Sequence, residues 1–162
     1  MKKLLILFLS WSIAILLLMS IANHAKSEEM IMYVISTETY VNVRESASTT
    51  GKIGGYLDFG WEVTVTDEKT DHSGTVWYRI DGITEQGYGY VCANYLIPNE
   101  PTKVNAKAKV NSNGRVKLYS RVNGKRKGWA KPGQVLNVKI KSDSWCLTDK
   151  GYIRSEYLAF DE

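Results

Sequence analysis

The sequence has few of the residues that most often carry enzymatic chemistry. It contains two cysteines, Cys92 and Cys146, and two histidines, His24 and His72. A cysteine peptidase needs a thiolate, a histidine and an orienting group held together. His24 lies in or beside an N-terminal apolar segment, and His72 lies in a polar turn, so neither is placed for that role. The same four residues match no zinc-ligand spacing. We therefore predict no catalytic residue, no metal and no cofactor.

Two cysteines also exclude a dense disulfide framework. One bridge and two free thiols both remain open, because sequence alone cannot show that the two side chains meet. A glycosidase would need two carboxylates across a cleft, but Asp67, Glu68 and Asp71 are clustered as in a solvated turn.

Helical periodicity is missing beyond the first 27 residues: no stretch keeps a 3.6-residue apolar period for three turns. Apolar and polar residues alternate instead, in residues 40–44, 61–66 and 135–140. Glycine beside Asp, Asn, Ser or Pro punctuates these runs. The pattern predicts an all-β chain of short strands.

The N-terminus has the layout of a secretory signal peptide. Lys2 and Lys3 precede an apolar run over residues 4–19, and small residues follow, with cleavage expected after Ala22 or Ser27. The protein is therefore expected to be secreted or cell-envelope associated.

An uncleaved signal anchor is the alternative, because residues 4–22 approach the length of about 20 residues that spans a bilayer. In that case the protein would touch the membrane only through this segment. A lipoprotein anchor is excluded because no cysteine closely follows the apolar run.

Charge is distributed very unevenly along the chain. Residues 28–100 carry four basic and twelve acidic side chains, a net charge of −8, whereas residues 101–162 carry fourteen basic and five acidic ones, a net charge of +9. There is no acidic residue between Pro101 and Ser142. The overall charge of +4 therefore conceals two halves of opposite sign.

The two halves also repeat one pattern. The aligned pairs of segments are 41–44 with 116–119, 55–65 with 128–138, 77–78 with 145–146, and 89–96 with 151–158. The order is the same in both halves and the gaps differ only in turns. We predict a duplication: module 1 at residues 38–97, a linker at 98–103, and a divergent, basic module 2 at 104–160.

The repeated segments resemble the bacterial SH3-like (SH3b) family. The resemblance is carried by Asn42-Val43-Arg44, the serine-rich loop 46–50, Ile53-Gly54, and the ending Gly89-Tyr90-Val91 with Tyr95-Leu96. Module 2 departs from the pattern, with Tyr119 in place of the arginine and a basic loop at 121–127. The resemblance implies two tandem small SH3-like β-barrels after an N-terminal apolar export helix.

The resemblance also implies a shallow groove for an extended ligand. In module 1 it would draw on Asn42, Arg44, Glu45, Thr49, Tyr78 and Tyr90, with Tyr95 near its floor. Trp77, Tyr90 and Tyr95 recur as Trp145, Tyr152 and Tyr157, which core positions would also do. Trp61 aligns with Gln134, so we expect it to be exposed and a further candidate for ligand contact.

Module 2 is predicted to bind anions through a run of basic residues: Lys117, Arg121, Lys125, Arg126, Lys127 and Lys131. An external polyanion and the acidic module 1 are both possible partners for this basic face. Export makes nucleic acid an unexpected partner.

Together these observations predict a non-catalytic exported protein that binds peptidoglycan or an associated anionic envelope polymer. The alternative is a protein–protein interaction or inhibitor module that docks on another exported protein.

Overall fold

The computed structural model describes residues 29–36 and 40–160. Within them the chain is all-β, as predicted, with short 3₁₀ turns at Ala93–Tyr95 and Ser155–Tyr157. In these ranges no helix is long and apolar enough to cross a membrane. The predicted export helix, in residues 1–27, lies outside the described residues.

The strands are β1 Met30–Val34, β2 Val41–Arg44, β3 Ile53–Leu57, β4 Glu62–Thr70, β5 Val76–Asp81, β6 Tyr88–Cys92, β7 Leu96–Ile97, β8 Thr102–Val110, β9 Val116–Tyr119, β10 Arg126–Ala130, β11 Val135–Lys141, β12 Trp145–Thr148, β13 Gly151–Arg154 and β14 Leu158–Phe160.

The strands form two antiparallel sheets with the same topology. The first sheet has the order β3-β2-β6-β5-β4-β1-β7, and the second has β10-β9-β13-β12-β11-β8-β14. Pairing also agrees in detail: Val41 faces Leu57 in the first sheet, and Val116 faces Ala130 in the second. Each of these strand pairs also contains a bulge at the corresponding place. The internal repeat predicted from sequence is therefore present in the fold.

The prediction of closed barrels is corrected by the strand order. Among the described residues the order in each sheet starts at β3 or β10 and ends at β7 or β14, and these end strands do not pair with each other. The last strands are short, since Leu96–Ile97 and Leu158–Phe160 have two and three residues. Each is paired along one edge, with β1 or β8, so each sheet stays open.

The strands also extend beyond the predicted module boundaries. β1, at Met30–Val34, pairs with β4 and β7 although it precedes residue 38. β8 begins at Thr102, inside the predicted linker, and pairs with β11 and β14. Each module therefore uses an additional N-terminal strand between its fourth and seventh strands.

Each module has a core of its own, built by alternation along the strands. Val41 and Val43 are buried while Asn42 and Arg44 between and after them are partly exposed, as a period of two requires. The tight turns before β4 and β11 use Gly60 and Gly133, whose φ angles are +81° and +74°, a region open to glycine at little cost.

A third apolar cluster joins the two modules. Ile35 and Ile97 of module 1 are buried with Val122, Ile140, Trp145, Leu147 and Tyr152 of module 2. Two cations of module 2 lie over aromatic rings of module 1: Lys103 Nζ is 4.8 Å from the Phe59 ring centroid, and the guanidinium carbon of Arg121 is 4.7 Å from that of Tyr95. The modules thus dock through an apolar contact bordered by cation–π pairs.

The interface joins different faces of the two modules. Ile35 and Asn111 are equivalent, because each donates its backbone N–H to the carbonyl of the aligned tyrosine, Tyr95 or Tyr157. Asn111 is exposed while Ile35 is buried. Ile97 corresponds by strand pairing to the exposed Ala159, because each follows the leucine that pairs with the last residue of β1 or β8. The contact is therefore head-to-tail, with one face of module 1 packed against a different face of module 2.

Candidate ligand-binding grooves

Module 1 has a cleft of about 220 Å³ where the predicted ligand groove was expected. It is lined by Asn42, Arg44, Thr49, Trp77 and Tyr95 of module 1 and by Arg121 of module 2. β2 supplies Asn42 and Arg44, because their side chains alternate with the core residues Val41 and Val43. Four of the predicted ligand-binding residues thus lie together, and the second module completes the wall.

The polar groups of this groove are only partly used within the protein. Asn42 Oδ1 is buried, and within the described residues it accepts no hydrogen bond. Arg44 Nη1 donates to the carbonyl of Gly51 at 2.6 Å, which ties the serine-rich loop to the groove wall. A buried acceptor without a donor costs free energy, and since this oxygen has almost no contact with solvent, a ligand N–H would reach it only after the Asn42 side chain rotates toward the groove.

The remaining predicted residues of module 1 lie elsewhere. Glu45 accepts a hydrogen bond from Lys52 Nζ at 2.7 Å. Tyr90 is buried, with Lys69 Nζ 5.2 Å from its ring centroid. Tyr78 lines a separate depression together with Lys125, and Trp61 is 48% exposed on the surface, as predicted from its alignment with a glutamine.

The repeated aromatics divide between core and groove. Trp145, Tyr90 and Tyr152 are buried, which favours a packing role for these three, whereas Trp77 is buried but also contributes to the wall of the module 1 groove. Tyr95 and its counterpart Tyr157 instead line the clefts of their modules.

Trp77 is held in place by a carboxylate in the turn before β5. Its Nε1–H donates to Asp71 Oδ2 at 3.0 Å. The other oxygen, Oδ1, accepts from Ser73 Oγ at 2.6 Å and from the backbone N–H groups of Ser73 and Thr75. These hydrogen bonds, led by those of Ser73 and Trp77, lower the pKa of Asp71 to about 2.

We expect Asp71 to make stability depend on pH. Because its pKa is lower in the folded protein than the ordinary value of 3.8, its contribution is complete above about pH 4 and is lost as the pH falls toward 2. Asp71→Asn should remove this dependence, which urea unfolding followed by tryptophan fluorescence between pH 5 and 2 would measure. Asp58→Asn, in the turn before β4, is the control and should keep it. Equal pH profiles for wild type and Asp71→Asn would contradict the expectation.

Module 2 has a larger cleft, of about 360 Å³, at the equivalent position. It is lined by Arg115, Lys117, Tyr119, Trp129, Arg154, Glu156 and Tyr157, among others. Antiparallel pairing places Lys117 opposite Trp129 and Tyr119 opposite Arg126. The guanidinium carbons of Arg115 and Arg126 are 5.5 and 5.0 Å from the Trp129 ring centroid. The cleft therefore combines an aromatic surface with several cations.

The structure divides the predicted anion-binding residues among several places. Lys117 lines the module 2 cleft and Arg126 lies beside it. Arg121 lines the module 1 groove, and it shares with Lys125 a second depression between the modules. Lys127 and Lys131 are exposed and line none of the described clefts. Neighbours in sequence thus serve different surfaces.

Two exposed aromatics, Tyr56 on β3 and Trp129 on β10, were not predicted as ligand contacts. They occupy equivalent positions and are 52% and 41% exposed. The ring centroid of Tyr56 lies 4.6 Å from that of Tyr40 in an edge-to-face contact. The sequence contained a signal for their exposure, because Tyr56 and Trp129 occupy the same position in the aligned segments 55–65 and 128–138. In the structure they lie opposite the outward-facing Asn42 and Lys117.

Both cysteines are free. Burial raises the pKa of each thiol, which is the opposite of what activates a nucleophilic cysteine. Cys146 Sγ lies 3.4 Å from Ser155 Oγ, and His72 is exposed in the Asp71 turn. Across the described ranges, no three His, Cys, Asp or Glu side chains are grouped as a metal site.

The first module has a match among known protein families. Residues 39–97, roughly a third of the chain, match the family model of the bacterial SH3 domain. The match does not extend to module 2, whose likeness to module 1 rests on the shared strand order and register.

No curated protein matches the chain. Among solved structures, NlpC2 from Trichomonas vaginalis is similar with 12% identity and a TM-score of 0.32, over 83% of this chain and 49% of that one. NlpC1 from the same organism is similar with 11% identity and a TM-score of 0.32, over 85% and 48%. The chain thus spans about half the length of these two proteins.

Proposed function

We propose that this protein is a non-catalytic exported binding protein that recognises cell-wall peptidoglycan or an associated anionic envelope polymer. The observation that carries the proposal is the module 1 groove. Most of its lining lies within the matched bacterial SH3 domain, and it brings the polar side chains Asn42 and Thr49, the Tyr95 ring and the cations Arg44 and Arg121 together in one cleft. Bacterial SH3 domains typically work outside the cytoplasm, in keeping with a signal peptide or anchor in residues 1–27.

The groove chemistry suits an extended peptide-like segment of the wall. Once rotated toward the groove, the Asn42 amide can accept a backbone N–H, and Arg44 and Arg121 can attract a carboxylate. Tyr95 and Trp77 supply apolar walls. Such a site binds through shape and a few oriented polar groups, so it needs neither a nucleophile nor a metal.

The proposal is tested by sedimentation of the purified full-length protein with purified sacculi. We expect Arg44→Gln to weaken binding about five- to tenfold, because it removes a charge-assisted contact. Val135→Ala, which shortens an exposed side chain on β11 outside the described clefts, is the matched control and should bind as wild type. Absence of sedimentation with wild type would refute the proposal.

The alternative ligand is another exported protein. Specific support for it is limited to the depression between the modules, which is lined by Ser36, Tyr95, Arg121, Lys125 and Tyr152. Sacculi stripped of protein by protease distinguish the two functions. Binding that survives stripping indicates the wall polymer, and binding that disappears indicates a protein partner.

A further inference from the structure

Because the two modules share one fold, the outer face of their first two-stranded hairpin unit can be compared between them, on β2–β3 in module 1 and on β9–β10 in module 2. On the outer face of β2–β3, Tyr40, Asn42, Ile53 and Tyr56 form the module 1 version. On the outer face of β9–β10, the equivalent positions hold Arg115, Lys117, Arg126 and Trp129. The equivalence follows from pairing, since Asn42 faces Tyr56 and Lys117 faces Trp129, while Ile53 faces Arg44 and Arg126 faces Tyr119.

The aromatic is kept in both versions, but its surroundings change in charge. The three neutral residues around Tyr56 in module 1 are replaced by three cations around Trp129 in module 2. In module 1 the neighbour of Tyr56 is the Tyr40 ring, whereas in module 2 the neighbours of Trp129 are two guanidinium groups. An exposed aromatic retained amid such changes is a candidate contact for ligand.

The three cations are not paired with any acidic side chain of the part of the chain that the structure describes. Within residues 29–36 and 40–160, none of Arg115, Lys117 and Arg126 forms an ion pair, and the described ion pairs lie elsewhere. Arg154, on the same cleft, is engaged with Asn123 Oδ1 at 3.4 Å and with the Trp145 ring. Glu156 is the one acidic residue of the lining, so the surface keeps a positive excess.

Trp129 is 41% exposed despite its two arginine neighbours, so part of the indole remains open to a ligand. Planar aromatic surfaces pack against flat apolar faces, including those of sugar rings. Guanidinium and ammonium groups beside the ring would bind carboxylate or phosphate on the same sugar. The aromatic and the charges therefore favour a ligand that has both a ring and an anion.

We propose that the Trp129 surface, defined as Arg115, Lys117, Arg126 and Trp129, is a binding site for an acidic polysaccharide. The inference rests on the proposed envelope-binding function and narrows its anionic ligand to a charged glycan. The Trp129 ring stacks on a sugar, and the three cations bind the acid groups of that sugar and its neighbours. The equivalent Tyr56 surface lacks these cations and does not bind such a glycan.

The test measures binding of the full-length protein to three probes by calorimetry. Oligogalacturonate has rings and carboxylates, inorganic polyphosphate has anions without rings, and chitohexaose has rings without charge. We expect oligogalacturonate to bind most tightly, with an affinity that falls as salt rises, because exposed charge pairs are screened over about 10 Å at 0.1 M.

Two variants test the residues. A swap to the module 1 residues, Arg115→Tyr with Lys117→Asn and Arg126→Ile, should lower oligogalacturonate affinity at least about tenfold and flatten its salt dependence. Trp129→Ala should lower it about tenfold. The charge-matched control, Lys107→Gln with Lys109→Gln and Lys139→Gln, removes three exposed cations of β8 and β11 outside the Trp129 surface and should change affinity less than about twofold.

Several results would overturn the inference. Polyphosphate binding as tightly as oligogalacturonate, with no effect of Trp129→Ala, would show that the ring has no role. Equal binding of chitohexaose would show that the acid groups have none. An equal loss in the charge-matched control would show diffuse attraction instead of a site.

Sacculus sedimentation of the same proteins separates this inference from the proposed function. Wild type that sediments with sacculi but binds no oligogalacturonate refutes the inference alone. Wild type that binds oligogalacturonate but not sacculi refutes the proposed function alone. Circular dichroism of each variant confirms that a loss of affinity does not come from a loss of fold.

Discussion

Ile97→Asp is expected to separate the two modules while module 1 stays folded. Along β7, Leu96 packs into the module 1 core and Ile97 into the inter-module cluster. Ile97 is fully buried, so an aspartate there would place an unpaired carboxylate in an apolar contact, at a cost of several kcal/mol. Undocking exposes the carboxylate to water and avoids this cost.

Small-angle scattering should then give a larger radius of gyration, and protease should cleave faster between residues 98 and 101. Ala159→Asp is the matched control, because Ala159 is the exposed counterpart of Ile97 in module 2. It should leave both measurements unchanged. An unchanged radius for Ile97→Asp would show that other contacts hold the modules together, and loss of the module 1 near-ultraviolet signal would show that Ile97 belongs to the core of that module.

Gly89→Ala is expected to destabilise module 1 strongly. A methyl group on Gly89 would overlap Val43 Cγ1 and come within 2.8 Å of Thr84 Cγ2 and 3.3 Å of the Arg44 carbonyl. Val43 lies in the core and cannot move without disturbing it. Overpacking of this kind costs about 1–3 kcal/mol, which a lower urea midpoint would report.

Gly114→Ala is the control for this second variant, since a methyl group at Gly114 meets nothing within 4 Å. Its urea midpoint should stay close to that of wild type. If the two alanine variants unfold at the same midpoint, β6 and β2 are less tightly packed than the structure shows.

The fold class and the repeat could be predicted from sequence alone, because both depend on local patterns: the alternation of apolar and polar residues and the order of similar short segments. Alternation placed Val63 and Val65 inward, and the structure buries them. β1 was missed because Met30–Val34 has no aligned motif and precedes residue 38. Closure could not be judged either, since it depends on whether strands distant in sequence pair with each other.

The site was predicted in part for a similar reason. Asn42, Arg44, Thr49 and Tyr95 were brought together by the family resemblance, and the structure places them on one groove. Arg121 could not be assigned there, because its position depends on how the modules dock. Docking in turn depends on differences between the modules, because Leu147 and Ile140 of the inter-module cluster replace Arg79 and Asp67 of module 1. Such differences are found only by comparing the two repeats position by position.

Among the strands that the structure describes, β3 and β10 each have one unpaired edge, and the two edges are protected differently. Free strand edges can pair with other chains, and charge on the strand opposes this. β10 carries Arg126 and Lys127, whereas β3 has the neutral run Ile53–Leu57. Crowded copies of this protein would therefore begin to associate, strand against strand, along β3 of the first module.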